Sequence, residues 1–213
     1  MARQNQGGGQ EGALFEQLIH DLRNPLGVVA YFAEALPTAP EAERAELCER
    51  LQVNAQRLLH VLEEFALLAD LRRGQARAVV AEWPGDALLH ELVVEIETME
   101  RCPGGVRLDL QPVALRGGRE HLACALRALV RESVRSASGE RGVSLHLGRG
   151  AAGALVEVHV PLRLDAGSGI AAALDEHTLA LELVHGVAAL YGGSLTIEQP
   201  PGEAVLRLVL PLR

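Results

Sequence analysis

Leu14, Leu18, Leu22, Pro25, Val29, Phe32 and Leu36 recur at steps of three and four. After Pro37, Leu47, Leu51, Asn54, Leu58, Val61, Phe65 and Leu68 repeat the pattern. This spacing lines one face of an α-helix, so the N-terminal part of the chain must form two long amphipathic helices broken at Pro37. Thr38 and Glu41 have the S/T-x-x-E form of a capping box, which predicts the second helix start there. A connection this short makes the pair an antiparallel hairpin. Ile19, Leu26, Val28, Leu59 and Leu62 lie beside the two seams and widen the apolar stripe beyond what one partner helix covers. A second copy completing a four-helix bundle is the expected cover, and a C-terminal part packed over the hairpin of a monomer is the competing one. Asn54, polar within the second seam, is a candidate for setting register.

One histidine is set apart by the same counting. His20 follows Leu18 by two residues, about 200° of helix rotation, so it points away from the seam. Arg23 and Asn24 share its face one turn on, and Gly27 leaves room for another protein to approach. Pro25 has no N–H to offer the carbonyl of Asp21 and loosens the helix beside the histidine. Asp21 is placed to bond one imidazole nitrogen, fix the tautomer and leave the other nitrogen free to attack.

The rest of the chain reads as mixed α and β. Residues 1–10 form a polar lead with three consecutive glycines, the hairpin spans 11–73 with its first helix at Glu11–Leu36, and a second domain spans 78–213. In that domain, strands are predicted at Ala78–Glu82, Val106–Leu110, Val143–Leu147, Leu155–Pro161, Ser194–Glu198 and Val205–Leu210. Helices are predicted at Asp86–Met99, Arg119–Ser136 and Thr178–Tyr191. A sheet covered by helices on one face fits this order, giving an α+β chain. The formal net charge of −8 argues against a nucleic-acid partner, which calls for a basic face. No apolar run reaches membrane-spanning length and no secretory signal is visible, so a cytoplasmic protein is expected. Cys48, Cys102 and Cys124 are odd in number and lack metal-ligand spacing, as do the remaining histidines. No metal site and no hydrolase triad is expected.

The string His20-Asp21-Leu22-Arg23-Asn24-Pro25-Leu26 resembles the H-box of two-component histidine kinases. By that resemblance His20 carries phosphate, Asp21 assists proton transfer, and Asn24 can orient water for dephosphorylating a partner; Arg23 stands where it could balance phosphoryl charge. The second domain resembles the ATP-binding α/β sandwich of the same family. Asp165, Gly167 and Gly169 match its D-x-G-x-G loop, and Tyr191-Gly192-Gly193 with Leu210-Pro211 match its ending.

The phosphate-handling positions depart from the family pattern. Glu132 stands where the N-box has an asparagine that helps hold Mg²⁺; a carboxylate adds negative charge beside phosphates and donates no amide hydrogen bond. Glu176-His177-Thr178-Leu179-Ala180-Leu181 replaces a glycine motif whose backbone N–H groups approach phosphate. The segment between Ile170 and His177 is too short for the mobile lid of active kinases. The whole is most similar to ChpT-like histidine phosphotransferases, which pair the histidine hairpin with a degenerate, lidless domain. That resemblance implies a homodimer passing phosphate between response-regulator receiver domains, one of them on a hybrid histidine kinase, with no cofactor of its own and Mg²⁺ on the receiver. Two alternatives stand: a histidine kinase core binding ATP through Asp165 and Gly167, and a non-catalytic receiver-docking protein or a phosphatase aid working through Asn24.

Overall fold

The computed structural model describes residues 7–100, 102, 104–138, 141–162 and 178–212, without the side chains of residues 7–15 and 17. Two compact units divide the chain, residues 1–66 and 67–213. No helix among the described residues is long and apolar enough to cross a membrane.

The first unit is the helical hairpin. Helix α1 spans Gly7–Ala35 and α2 spans Glu41–Arg72, joined by a 3₁₀ turn at Leu36–Thr38. Helix α1 thus begins inside the polar lead, ahead of the predicted Glu11. The capping box does not form. The Thr38 hydroxyl donates back to the carbonyl of Ala35 at 3.2 Å and Glu41 accepts from Arg44 at 2.9 Å. The turn closes on itself and α2 starts after Pro40, with Glu41 and Glu43 in its first turn facing the positive end of the helix dipole. Across the hairpin the Arg50 guanidinium lies 5.9 Å from the Phe32 ring centroid, and Tyr31 packs edge-on against Phe32. Leu18 and Val61 of the seams are buried, whereas Ile19, Leu26, Tyr31, Leu59 and Leu62 are exposed. Asn54 is buried, but its amide donates to the Arg50 carbonyl of its own helix at 2.7 Å.

The second unit holds a five-stranded sheet in the order β2-β4-β5-β7-β6, from β2 (Val106–Leu110), β4 (Val143–Arg149), β5 (Ala154–Pro161), β6 (Ser194–Glu198) and β7 (Glu203–Leu210). β2 runs parallel to β4 and every other neighbour is antiparallel. Helices α3 (Gly85–Met99), α4 (Arg119–Ser136) and α5 (Leu179–Leu190) bury their apolar sides, and along β5 the residues Val156, Val158 and Val160 are buried while Glu157 and His159 between them are not. This alternation marks a sheet covered on one face. Fully buried Leu126, Leu129, Leu145, Leu147, Leu183 and Leu206 lie at the centre of the core. The Thr178 hydroxyl caps α5 by accepting from Leu181 N–H at 3.3 Å.

One small sheet is absent from the sequence reading. β1 (Ala81–Pro84) pairs with β3 (Ala114–Gly117), Ala81 opposite Gly117. Trp83 Nε1 donates to the Gly117 carbonyl at 3.0 Å, which draws the strand toward Pro84 rather than Ala78. Gly85 follows directly because a Cβ there would meet the Val113 oxygen at 2.7 Å. The final turn of α2 belongs to this unit: Arg72 pairs with Glu182 on α5, and Leu71 packs over Gly186, where a Cβ would meet it at 3.1 Å.

Candidate functional site

His20 sits in the middle of α1 with its side chain 76% exposed, while the side chain of the next residue, Asp21, is only 16% exposed. The Asp21 carboxylate therefore turns into the hairpin and the imidazole turns out of it. Nδ1 of His20 lies 3.5 Å from Oδ1 of Asp21, an ion-pair distance longer than a good hydrogen bond. Nε2 is left on the outer side of the ring. Arg23 and Asn24 are exposed, and a Cβ at Gly27 would meet nothing within 4 Å. Leu26, 57% exposed, continues this open surface. The structure thus gathers His20, Asp21, Arg23 and Asn24 into one patch of α1, where a protein partner can reach the histidine without displacing any side chain at Gly27.

Chemically, the patch offers a nucleophilic nitrogen to solvent and a carboxylate beside the opposite nitrogen. Attack through Nε2 makes the ring an imidazolium, and a carboxylate near Nδ1 stabilises that charge and can take the proton. The inward turn of Asp21 is the feature that seam counting overlooked. Asp21 precedes Phe32 by 11 residues (32 − 21), about three full turns, and so shares the face of Phe32; counting back from Phe32, which meets α2, would have revealed it.

The residues of the ATP-like site do not join this patch on α1. Glu132 lies on α4, half-buried, with the Ser136 hydroxyl at 3.5 Å from its carboxylate. Asp165, Gly167 and Gly169, with Glu176 and His177, lie outside the described residues. Among the described residues no group of three or more His, Cys, Asp or Glu side chains is placed to share a metal ion.

A second concentration of titratable groups occupies the uncovered face of the sheet. His159 on β5 has Nε2 at 2.8 Å from Glu157 and Nδ1 at 3.1 Å from Glu203. Arg207 on β7 bonds Glu157 and lies 2.7 Å from Glu198 on β6. Burial opposes the charged imidazolium of His159, but its hydrogen bonds to Glu157 and Glu203 prevail and raise its pKa. Burial likewise opposes the Glu157 carboxylate, yet hydrogen bonds from His159 and Arg207 prevail and lower its pKa. Both ring nitrogens are occupied, so this histidine ties β5 to β7, within a network that Arg207 extends to β6, and is not offered as a nucleophile.

Residues 10–74 match the His Kinase A (phospho-acceptor) domain. No curated protein matches the chain significantly. Among solved structures, the chain resembles the Acinetobacter baumannii histidine kinase AdeS at 14% identity and a TM-score of 0.61, over 91% of this chain and 98% of that one. It resembles a bacterial phosphotransferase at 15% identity and a TM-score of 0.53, over 97% and 98%. The cytoplasmic segment of histidine kinase QseC aligns at 20% identity and a TM-score of 0.51, over 72% and 92%. At these identities the structures speak for the fold, whereas the domain match falls on the hairpin that carries His20. The chain thus combines a helical hairpin that matches a phospho-acceptor domain over residues 10–74 with a sheet domain, in the fold that histidine kinase structures share.

Proposed function

We propose that this protein is a phosphorelay histidine phosphotransferase, in which His20 takes a phosphoryl group from the aspartyl phosphate of one receiver domain and passes it to another. The observation that carries the reading is the exposed His20 imidazole, with its Nδ1 edge turned toward Asp21 and its Nε2 edge outward. In the transfer, Nε2 attacks phosphorus, the N–P bond forms, and the P–O bond to the receiver's aspartate breaks, returning that residue to a carboxylate. The Nδ1 proton of the resulting imidazolium passes to Asp21 or to solvent. Positioning and charge stabilisation dominate such transfers, so the receiver's Mg²⁺ and acidic pocket complete the site while Arg23 balances charge on the phosphoryl oxygens.

Several features favour transfer without ATP. Glu132 replaces the asparagine of the N-box, the glycines expected before Leu181 are absent, and few residues separate Ile170 from His177. The same fold serves a bacterial phosphotransferase, so a chain of this organisation suits the role. Exposed Ile19, Leu26, Leu59 and Leu62 support a second copy packed against the hairpin, giving a homodimeric four-helix bundle as in the ChpT-like proteins. Docking of the receiver uses the surface around His20, Asn24 and Gly27.

The test mixes the purified protein with phosphorylated receivers in the absence of ATP and follows acid-labile phosphate. Label is expected on wild-type protein and absent from His20→Ala. Incubation with γ-labelled ATP is expected to leave His20 unlabelled; labelling there would establish a kinase core instead. If no receiver labels the protein and His20→Ala is silent in cells, a docking role replaces transfer.

A further inference from the structure

The two ring nitrogens of His159 face carboxylates on different strands. Nε2 lies 2.8 Å from Glu157 on its own strand, and Nδ1 lies 3.1 Å from Glu203 on β7. A carboxylate only accepts, so both bonds need a donor nitrogen, and only the imidazolium carries a proton on each. Burial works against that charge, the two bonds prevail, and the pKa of His159 is raised.

A neutral ring keeps one N–H, and the surroundings decide which carboxylate retains it. Glu157 is the better held: its side chain is 20% exposed, and it also accepts from Arg207. Glu203 is 43% exposed and bonds no other side chain among the described residues. Loss of the proton therefore sets a bare Nδ1 lone pair against the Glu203 carboxylate, which is the one free to turn to water. It also leaves Arg207 as the one cation among Glu157, Glu198 and Glu203 in this network, which strengthens their mutual repulsion.

The tie sits where the ladder lacks a donor. His159 stands opposite Val205 and Glu203 opposite Pro161, so the bond crosses β5 and β7 diagonally at their end. Pro161 has no N–H to give. Beyond it the strands are closed by the Leu162 N–H on the Gly202 carbonyl at 3.0 Å, and the Glu203 N–H bonds the Pro200 carbonyl at 3.1 Å. Asp165 lies just beyond Leu162 in sequence.

We propose that His159 is a proton-operated latch at the end of β5: the protonated ring ties Glu203 to the strand and keeps the Leu162–Gly202 closure shut, and the neutral ring releases Glu203 and lets that closure open. The latch is shut below the ordinary imidazole value near 6.5 and opens as pH rises through the higher folded value. The charged and titratable groups around His159 are Glu157 on β5, Glu203 and Arg207 on β7, and Glu198 on β6. On β4, Ser144 stands opposite His159 and accepts from Arg107 of β2, while His146, opposite Glu157, is bonded to Asp109 of β2. The device does not depend on the reading of His20.

The test follows the full-length protein by NMR between about pH 5 and 9, reading the His159 ring shifts beside the exchange protection of the Leu162 amide. Protection is corrected for base catalysis and referred to the Val158 amide at the strand centre. As the ring loses its proton, protection at Leu162 is expected to fall by about tenfold relative to Val158. Glu203→Gln is expected to abolish that pH dependence and to bring the ring titration down toward the ordinary value. His159→Gln is expected to abolish it as well. Leu162 protection that stays level relative to Val158 while the ring titrates overturns the proposal. So does a Glu203→Gln protein whose ring titrates as in the wild type, or a His159→Gln protein that keeps the pH dependence at Leu162. Should the variants not fold, the wild-type exchange profile decides alone.

Discussion

His20 and Asp21 are neighbours in sequence that differ in exposure, the imidazole open to solvent and the carboxylate mostly covered, with 3.5 Å between Nδ1 and Oδ1. The division gives each residue a separate task. Transfer through His20 requires the outer nitrogen to be reachable and the inner one to have somewhere to place its charge.

Asp21→Asn keeps the size of the side chain and removes its charge and basicity. Phosphoryl acceptance by His20 is expected to fall by about 10² or more, the usual scale for a lost proton acceptor, while circular dichroism and Tm change little beyond the effect of the inward-facing amide. An unchanged single-turnover transfer rate would show that solvent alone takes the Nδ1 proton.

Asn24→Ala separates two activities on one patch. Transfer to His20 is expected to persist, because Asn24 is exposed one turn along α1 and is not the group that attacks phosphorus. Any loss of phosphate from the receiver to water is expected to slow. Following receiver-bound and protein-bound phosphate in parallel distinguishes the two; equal loss of both would tie Asn24 to transfer itself.

The brace on the open sheet face makes stability depend on pH in a defined direction. The His159 pKa is raised in the fold, so its stabilisation is fully present below the unfolded value near 6.5 and is lost as pH rises through the folded value. The Glu157 pKa is lowered, so its contribution is present above the unfolded value near 4.5 and is lost as pH falls through the folded one. The network is therefore strongest between about pH 4.5 and 6.5. In His159→Gln, Tm is expected to lose the decline on the alkaline side of this window; a decline as steep as in the wild type would assign it elsewhere.

Leu26→Glu places a charge on the exposed apolar flank of the hairpin. Sedimentation is expected to show the proposed dimer weakened, with helix content retained because the site is 57% exposed in the single chain. A dimer of undiminished affinity would move the interface away from Leu26.

Gly193→Ala tests the closing hairpin of the second unit. A Cβ there would come within 2.1 Å of the Val209 carbonyl oxygen, a backbone atom that cannot swing aside. A loss of at least about 1–3 kcal/mol is expected, the scale of overpacking, read as a lower Tm. A neutral effect would mean that β6 and β7 can separate without consequence.

Much of this architecture was legible because it is local. The helical steps of the two seams produce α1 and α2, and the alternation in Val143–Leu147 and Leu155–Pro161 reappears as β4 and β5. The rotation from Leu18 to His20 was enough to expect an outward histidine. The failures have physical causes of a different range. The Thr38 capping box met a competing acceptor at Ala35, and β3 is four residues between Pro112 and Gly118 whose partners lie thirty or more positions upstream. The Asp-Gly loop at Asp165 lies outside the described residues, so the sequence remains its only description.

By itself, then, the sequence determined the two amphipathic helices, the order of helices and strands behind them, and the side of α1 on which His20 stands. These follow from periodicity, which needs no partner. Tertiary structure alone decided that Asp21 turns inward, that Trp83 reaches Gly117, and that His159, Glu157 and Arg207 join across strands. Such pairings depend on which surfaces meet, since Glu157 and Arg207 are fifty residues apart and come together only because β5 and β7 share an antiparallel register.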